Sequence, residues 1–583
     1  MRRFLRLLRS SSLGQYSSAF FLCSALLAQT TQAQTATSLS SDGLSQPTTT
    51  VTQGSPQELP TLSATERELK GGETHSYRIQ LTSGQFLYAL VEQKDIDVVT
   101  AEFGPDGNQI TESDSPNDRW GTEPILLVAS TSGTYRVDVR SPNAKAPAGR
   151  YEIKMIALRE ATPIDKGHAT AEIAFDQGRK LRAQQTAAAR RQAIDKYGEA
   201  ILLFQAAGDS YRRGLTLLSI GICYFQLNEF RKALDYFNET LTIAAAIGDP
   251  RMEAGTETYA GGMLDVLGDV NKALDHYHRA LKLAREGGWR LAEGNALNNI
   301  GKIYNDVADW QKALEYYAQA LPVFRALGSQ KSEAITLNNI GIAYSQLGEQ
   351  EKALEYLQQS LPMLHAAGDK NAEAYTLSSI GNAYSRLGNY QRALNYYSQA
   401  QTLQRETGNR AQEAETLDKF GMAYSALGQR EKALEYHLQA VQIQRTTGNL
   451  RREALALSNL GDVYNQLAQP DKALENFEKS LAILRNIGDL SNASRALEGI
   501  ARAEQSRDNL EDARKHIRES LALIETVRSR SGSLELRASY RASMEKPYGL
   551  FIDVLMRLHA KDPAHGYDSE ALQASERGRA RSF

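Results

Sequence analysis

The sequence predicts a mainly α-helical fold in which a solenoid of stacked helix pairs follows a small β-sandwich. Two observations support this prediction. A pattern of small and aromatic residues recurs every forty residues through the middle of the chain, and residues 61–160 before it largely alternate apolar and polar side chains. Repeated units that cannot bury their own apolar faces must stack on their neighbours, so the periodicity itself indicates a solenoid.

Residues 1–33 have the pattern of a signal peptide. Four arginines near the start precede the apolar run Ala19–Ala28, and small residues follow at Thr31–Ala33. The apolar run is too short for a stable membrane span. We therefore expect an exported protein, periplasmic or extracellular; a cytosolic protein with an unusual N-terminus is the alternative.

Residues 34–60 are rich in Ser, Thr, Gln and Pro. Such a composition buries too little apolar surface to offset the entropy of ordering, so this segment is predicted to be a disordered linker.

Six runs in residues 61–160 are predicted to be β-strands, because they largely alternate and turn residues separate them. They are His75–Thr82, Gln85–Gln93, Asp97–Phe103, Ile125–Ser130, Thr134–Arg140 and Arg150–Leu158. Short strands with one apolar face favour a sandwich. Gly72–Thr74, the turn at Gly104–Gly107 and the strand start at Gly133–Tyr135 resemble the pre-peptidase C-terminal type of β-sandwich found on secreted bacterial proteins.

The repeat is carried by three positions. A glycine recurs at a spacing of forty residues, a tyrosine usually follows it by three residues, and an Ala-Leu pair follows it by twelve. The glycines are Gly221, Gly261, Gly301, Gly341, Gly381, Gly421 and Gly461, and the one departure from the tyrosine is Leu264. Small residues at two of these positions indicate that two helix backbones approach closely there.

This pattern resembles the tetratricopeptide repeat in its forty-residue form. The resemblance covers residues 167–506, or about eight to nine repeats, and it implies a groove lined by the first helix of each pair. Residues 507–583 lack the repeat glycines and are predicted to be a helical extension. Within them, 534–543, 548–559 and 571–582 resemble the segment between the repeats and the caspase-like peptidase domain of bacterial CHAT proteins.

The composition and motifs disfavour several classes of function. The net charge of −2 disfavours a nucleic-acid groove. The two cysteines, Cys23 and Cys223, are too few for a disulfide framework, and Cys223 lies within the repeat pattern, as a core residue would. No phosphate-binding loop of the Walker type occurs. We expect no cofactor, no small-molecule substrate and no catalytic residue.

One alternative concerns the β-region. Asp95, Asp97, Asp114 and Asp118 carry oxygens that suit Ca²⁺, although ordinary loop acidity explains them better, and Trp120 beside them is an aromatic that suits a glycan or protein contact.

Polar residues one face away from the buried stripe of the first helices are the predicted partner-binding residues. Amides offer both donor and acceptor, so a ladder of them can bind an extended peptide backbone. The predicted set is Asn298, Asn299, Lys302, Asn305, Asn338, Asn339, Ser379, Asn382, Lys419, Asn459, Asp462 and Asn465. The alternative is that these side chains are simply solvated.

The sequence therefore predicts a non-catalytic, exported interaction scaffold that binds a protein or peptide segment in its groove. The alternative function is the regulatory half of a truncated CHAT-type peptidase, and surface adhesion through the β-sandwich is a third. Self-association stays open.

Overall fold

The computed structural model describes residues 57–59, 64–114, 121–144, 146–184, 186–530 and 534–580. Within these ranges, 527–530, 534–546 and 579–580 are described by their backbone alone. The predicted signal peptide, most of the predicted linker, Asp118 and Trp120 lie outside the described residues. None of the helices within these ranges has the length and apolar character needed to cross a membrane.

The described residues divide into two compact units. The first contains the residues up to Met263 together with Arg279–Gly288. The second contains Leu264–His278 and the residues from Trp289 onward.

The β-region is a sandwich of two sheets. Its strands are β1 (Gln57–Glu58), β2 (Thr65–Leu69), β3 (Thr74–Leu81), β4 (Gln85–Gln93), β5 (Val99–Phe103), β6 (Gln109–Ser113), β7 (Gly121–Val128), β8 (Gly133–Arg140) and β9 (Gly149–Glu160). One sheet has the order β1-β3-β8-β5-β6 and the other β2-β9-β4-β7. β1 pairs in parallel with β3, and the other pairings are antiparallel.

The sandwich core contains three tyrosines whose hydroxyls are paired inside it. The hydroxyls of Tyr77 and Tyr151 are 2.6 Å apart, and His75 Nδ1 is 2.7 Å from the latter. Tyr135 donates from its hydroxyl to the carbonyl of Thr131 at 2.9 Å. Each buried hydroxyl is thus satisfied, as burial of a polar group requires.

Three strands were absent from the sequence prediction. They are β1, β2 and β6, and all three lie at the edges of their sheets. Edge strands have fewer buried positions, so their polar sequences give little alternation to detect. β1 lies inside the segment predicted as a linker, so regular structure begins earlier than expected.

Twenty α-helices follow the sandwich in the described residues, and they confirm the predicted fold class. The first ten are α1 (Pro163–Ala183), α2 (Ala187–Ala207), α3 (Ser210–Gln226), α4 (Phe230–Ile247), α5 (Pro250–Val266), α6 (Val270–Glu286), α7 (Arg290–Asp306), α8 (Trp310–Ala326), α9 (Gln330–Gln346) and α10 (Gln350–Ala366). The rest are α11 (Lys370–Arg386), α12 (Tyr390–Glu406), α13 (Arg410–Ala426), α14 (Arg430–Thr447), α15 (Leu450–Gln466), α16 (Pro470–Ile487), α17 (Leu490–Ser506), α18 (Leu510–Arg530), α19 (Leu534–Lys561) and α20 (Tyr567–Ala580).

The repeat glycines lie where the two helices of a pair touch. A Cβ added at Gly381 would be 2.5 Å from the ring of Tyr397 and 3.2 Å from the carbonyl oxygen of Ala393. Equivalent close contacts occur at Gly301 and Gly341. Both the glycine and the alanine twelve residues later are therefore small for a steric reason, as the sequence predicted.

The repeat tyrosines form a second contact within each pair. Tyr384 stacks on Tyr396 with ring centroids 5.5 Å apart, and the guanidinium of Arg392 lies 5.5 Å above the Tyr384 ring. The same stack occurs at Tyr304 and Tyr344, each with a lysine above the ring. Because these rings face each other and a cation, they serve to join the two helices.

Candidate functional site

The candidate site is the layer formed by the first helices of successive pairs, where the sequence placed the partner-binding residues. In the second unit, α7, α9, α11, α13, α15 and α17 contact one another in order. Their forty-residue register brings equivalent side chains side by side. We call the polar positions of this layer at 298, 338, 378, 418 and 458, and those one residue later, the inner row.

Asparagines of the inner row hydrogen-bond to the next repeat. Asn298 Oδ1 accepts from Thr336 Oγ1 at 3.1 Å and from Asn339 Nδ2 at 3.3 Å. One repeat later, Asn338 Oδ1 accepts from Thr376 Oγ1 at 3.0 Å. Asn298 and Asn338 are both buried. These amides therefore connect neighbouring repeats.

A longer hydrogen-bonded chain crosses the inner row in α13–α17. Asn459 donates to Asp418 Oδ2 at 2.9 Å and accepts from Arg495, which also lies 3.4 Å from Asp462. His437 Nδ1 is 2.6 Å from Asp418 Oδ1. Burial opposes ionisation, but His437 and Asn459 outweigh it and lower the pKa of Asp418.

Lys302 forms a buried ionic cluster. Its Nζ is 2.8 Å from Asp265 and 2.8 Å from Asp306, and only 6% of the residue is exposed. Burial favours the neutral amine, yet the two carboxylates outweigh it and raise the pKa of Lys302. Asn305 donates to Asp306 at 3.4 Å, and Asn299 is buried. The ammonium group of Lys302 is thus occupied by ion pairs within the solenoid.

The remaining predicted amides and hydroxyl also bond within the solenoid. Ser379 donates to the carbonyl of Tyr375 at 3.0 Å, Asn382 accepts from the hydroxyl of Tyr397 at 2.9 Å, and Asn465 donates to the carbonyl of Gly499 at 3.1 Å. Partner binding by these side chains stays a prediction. The structure gives most of them a role within and between repeats, which neither the groove hypothesis nor simple solvation anticipated.

Lys419 differs from the rest of the predicted set. It lies half-buried on α13, and no ion pair of the described residues involves it. Burial, aided by the charge of Arg452, lowers the pKa of Lys419, although the nearby carboxylates of Glu415 and Asp418 oppose that shift. A partly desolvated cation that forms no ion pair gains from an incoming anion.

Two accessible features of the same layer were missed by the sequence reasoning. Met422 on α13 is 53% exposed, three residues from Lys419. A shallow open pocket with a cavity volume of about 20 Å³ lies between α9, α10 and α11, and its apolar wall includes Ile335, Leu364 and Tyr375. The position after the repeat glycine is polar at Lys302, Asn382 and Asp462 but apolar at Ile222 and Ile342. The sequence therefore did not single out Met422, and its exposure is a finding of the structure.

His437 is a second departure from the repeat. Its position is occupied by Phe237, Tyr317, Tyr397 and Phe477 in other repeats. A Cβ added at Gly421 would be 2.5 Å from His437 Nε2, so the imidazole takes the place of an aromatic ring against the glycine.

The described residues offer little for catalysis or metal binding. No group of three or more His, Cys, Asp or Glu side chains in the described ranges could hold a metal ion. Of the acidic residues weighed for Ca²⁺, Asp95 pairs with Arg150 and Asp114 with Arg179. Cys223 is fully buried, and burial raises the pKa of its thiol to about 11, which leaves little thiolate at neutral pH.

The family model described as a tetratricopeptide repeat matches residues 254–326, 293–365, 372–446 and 452–526. These residues form tetratricopeptide repeats. The matched region runs from α5 to α18, so the resemblance predicted from the Gly, Tyr and Ala spacing is confirmed for the repeats.

Several solved structures are similar to the chain. The apo form of the quorum sensor NprR from B. thuringiensis is 17% identical with a TM-score of 0.46, over 60% of this chain and 97% of that one. A Rap protein complexed with Competence and Sporulation Factor is 15% identical with a TM-score of 0.45, over 63% and 100%. A signal transduction ATPase with a tetratricopeptide repeat sensor from Pyrococcus horikoshii is 16% identical with a TM-score of 0.44, over 70% and 72%. No curated protein matches the sequence.

Proposed function

We propose that this chain is a non-catalytic interaction scaffold that binds an extended peptide or protein segment across α9–α13. The observation that carries the proposal is the combination of accessible groups there: the Tyr375 pocket, the exposed Met422 side chain and the Lys419 cation without an ion pair. The surrounding polar residues are mostly occupied by hydrogen bonds within the solenoid, so these three features are the accessible ones at which we place the partner.

Their chemistry defines the ligand class. The pocket has an apolar wall and polar atoms of Asn338, Asn339 and Thr376, which suits the tip of one apolar side chain and a backbone amide. Lys419 suits an acidic side chain, and Met422 adapts to varied apolar groups. The ligand is therefore an extended segment that combines an apolar residue with an Asp or Glu.

A displayed library of random peptides, selected on the full-length chain, tests this proposal. Selected peptides should combine acidic and apolar residues, and Tyr375→Ala and Lys419→Ala should each weaken their binding about tenfold, or about 1.4 kcal/mol. The matched control is Lys479→Ala, since Lys479 lies half-exposed on a second helix, α16, and should bind as the wild type does. Equal affinity for all four proteins would place binding elsewhere and refute the proposal.

We also propose that residues 1–33 export the protein to the periplasm or the medium. The support is the arginine-rich start, the apolar run and the small residues that follow it. Fractionation of the native cells, with an antibody against residues 200–500, should find a band slightly below 64.4 kDa outside the cytoplasm. A full-length cytoplasmic band would contradict export.

The second candidate function is the regulatory half of a CHAT-type peptidase. The observation that favours it is that α19 and α20 pack against α18 through Tyr548, Phe551 and Tyr567, so the segment resembling CHAT proteins is an ordered extension of the repeats. Sequencing the gene beyond the Phe583 codon tests it. A continuing frame that encodes a caspase-like domain is expected on this reading, and a stop codon rejects it.

A further inference from the structure

Helix α1 closes the open edge of the sandwich. β6 and β7 are edge strands of the two sheets, and α1 packs against both of them. The interior behind α1 is unusually polar for a sandwich. Its buried polar side chains are Gln93, Thr100, Glu102, Thr111, Ser113 and Glu123.

Glu102 belongs to this polar interior. In β5 it pairs with Val137 of β8 and Thr111 of β6, and Val137 belongs to the sandwich core, so the Glu102 side chain faces inward. Glu102 is 0% exposed, and neither carboxyl oxygen has a hydrogen-bond partner among the described residues. Thr100 Oγ1, on the same face of the strand, also lacks one.

The cations around Glu102 are bound to other carboxylates. On α1, Arg179 pairs with Asp176 at 2.9 Å, with Glu112 of β6 at 2.6 Å and with Asp114 at 3.2 Å. On α3, Arg212 donates from Nε to Glu172 of α1 at 2.7 Å.

The charged side chains of β7 and β8 are likewise paired with other groups. On β8, Arg140 pairs with Glu112 at 2.8 Å and Arg136 with Asp138 at 3.1 Å. Glu123 of β7 accepts from Ser113 at 2.9 Å. None of these contacts reaches Glu102, and its carboxyl has neither an ion pair nor a hydrogen bond among the described residues.

Burial, followed by the charges of Glu172, Asp176 and Glu112, therefore raises the pKa of Glu102 well above its ordinary value of 4.5. The neutral carboxyl is the form that this site accepts. An ionised Glu102 would be buried without a cation or a hydrogen-bond donor, and the charges of Glu172 and Asp176 on α1 would add to that cost.

We propose that Glu102 is a proton-controlled latch, which holds α1 against the sandwich edge while its carboxyl is protonated and releases α1 when the proton is lost. The latch couples the first helix of the solenoid to the β-sandwich through pH. The inference is independent of the proposed peptide binding, because Glu102 and α1 lie in the first unit, away from α9–α13 in the chain.

The direction of the pH effect follows from the raised pKa. When α1 is detached, Glu102 is solvated and titrates near 4.5; in the closed state it titrates higher. The packing of α1 against the sandwich is therefore most stable below about pH 4.5. Its stability falls as the pH rises, until the pH exceeds the raised pKa of Glu102 in the closed state. Within that window one proton is lost on opening, so closure weakens by about tenfold per pH unit.

Hydrogen–deuterium exchange of the full-length chain across pH 5 to 9 tests the latch. After correction for the intrinsic exchange rate, amides of Pro163–Ala183 should lose protection by up to about tenfold per pH unit in the wild type. Glu102→Gln keeps the shape and removes the charge, so its protection should be independent of pH. Glu68→Gln, at an exposed position of β2, should behave as the wild type.

One histidine requires its own control. His168 of α1 lies 3.0 Å from Asp209, and histidines generally change charge between pH 5 and 8. The comparison is therefore repeated in a His168→Asn background, where the Glu102-dependent slope should persist. Equal slopes in Glu102→Gln and the wild type, or no slope in the wild type, would overturn the latch.

A second measurement needs no variant to fold. Among the described glutamates with a resolved pKa shift, Glu102 is the one whose pKa is raised. With ¹³C-labelled glutamate carboxyls, one carboxyl signal should remain at the protonated position after the signals of the other glutamates have moved. Ionisation of all glutamates over the same pH range would refute the proposal.

Discussion

Lys302 shows how one side chain can satisfy a sequence pattern for binding and yet serve another role. It lies on a first helix, where the forty-residue register predicts a ligand-facing position. In the structure, Asp265 of α5 and Asp306 of its own helix surround it at 2.8 Å each. A buried cation that pairs with two carboxylates contributes to the stability of the stack.

Replacement of Lys302 by Met should therefore destabilise the protein. The change removes the cation that pairs with the buried Asp265 and the part-buried Asp306, at a cost of about 3–5 kcal/mol. Urea unfolding followed by far-UV circular dichroism measures it. The control is Lys312→Met, because Lys312 is half-exposed and 4.0 Å from Asp309, and it should cost less than about 1 kcal/mol. A similar decrease in the free energy of unfolding in both variants would show that the Lys302 cluster contributes no more stability than an exposed ion pair.

The turns inside the helix pairs illustrate the element scale. At one turn position the backbone has a positive φ in repeat after repeat, and glycine occupies it at Gly268, Gly348, Gly388 and Gly428. Ala308 and Ala468 hold the same conformation with φ of 63° and 54°. A Cβ makes this left-handed conformation unfavourable by about 1–2 kcal/mol.

Ala308→Gly and Ala468→Gly should consequently stabilise the protein, each by about 1 kcal/mol. The reciprocal change, Gly388→Ala, should destabilise it by a similar amount, since φ there is 76° and nothing lies within 4 Å of the added Cβ. Thermal unfolding midpoints compare the three variants with the wild type. If Gly388→Ala had no effect, turn strain would not limit the stability of these helix pairs.

At the scale of the molecule, stability comes from the sharing of one core by successive repeats. Beyond the last helix pair, α19 and α20 supply Phe551, Val554, Leu555 and Ala571 to a cluster with Ile517 of α18. They cover apolar surface that the repeat pattern would leave exposed. This segment therefore acts as a cap on the last pair, as terminal units of solenoids commonly do.

A chain that ends at Arg530 should lose protection locally. Without α19 and α20, Ile517 and Leu521 become exposed, so exchange in α17 and α18 should accelerate most, and the effect should fade toward α9 because each repeat contacts mainly its neighbours. Hydrogen exchange, compared segment by segment with the full chain, measures this gradient. Uniform acceleration from α9 to α18 would show that the solenoid unfolds as one unit.

The sequence by itself determined the fold class, because the spacing of the repeat and the size of its recurring residues depend on how two neighbouring helices pack. Gly381 and Ala393 are small where two backbones meet, and Tyr384 recurs where rings stack. Four of the six predicted strands begin within one residue of their observed starts, since alternation reveals a strand with one buried face. Three of the four edge strands, β1, β2 and β6, carried no such signal.

The tertiary structure alone decided which polar side chains are accessible. Whether Asn298 faces a ligand or Thr336 depends on how adjacent repeats are rotated, and a forty-residue period is the same in both cases. Likewise, the alternation of β5 suggests that Glu102 faces solvent, but the sandwich and α1 place it inside. Periodicity specifies which residues share a face, whereas packing between elements specifies what that face meets.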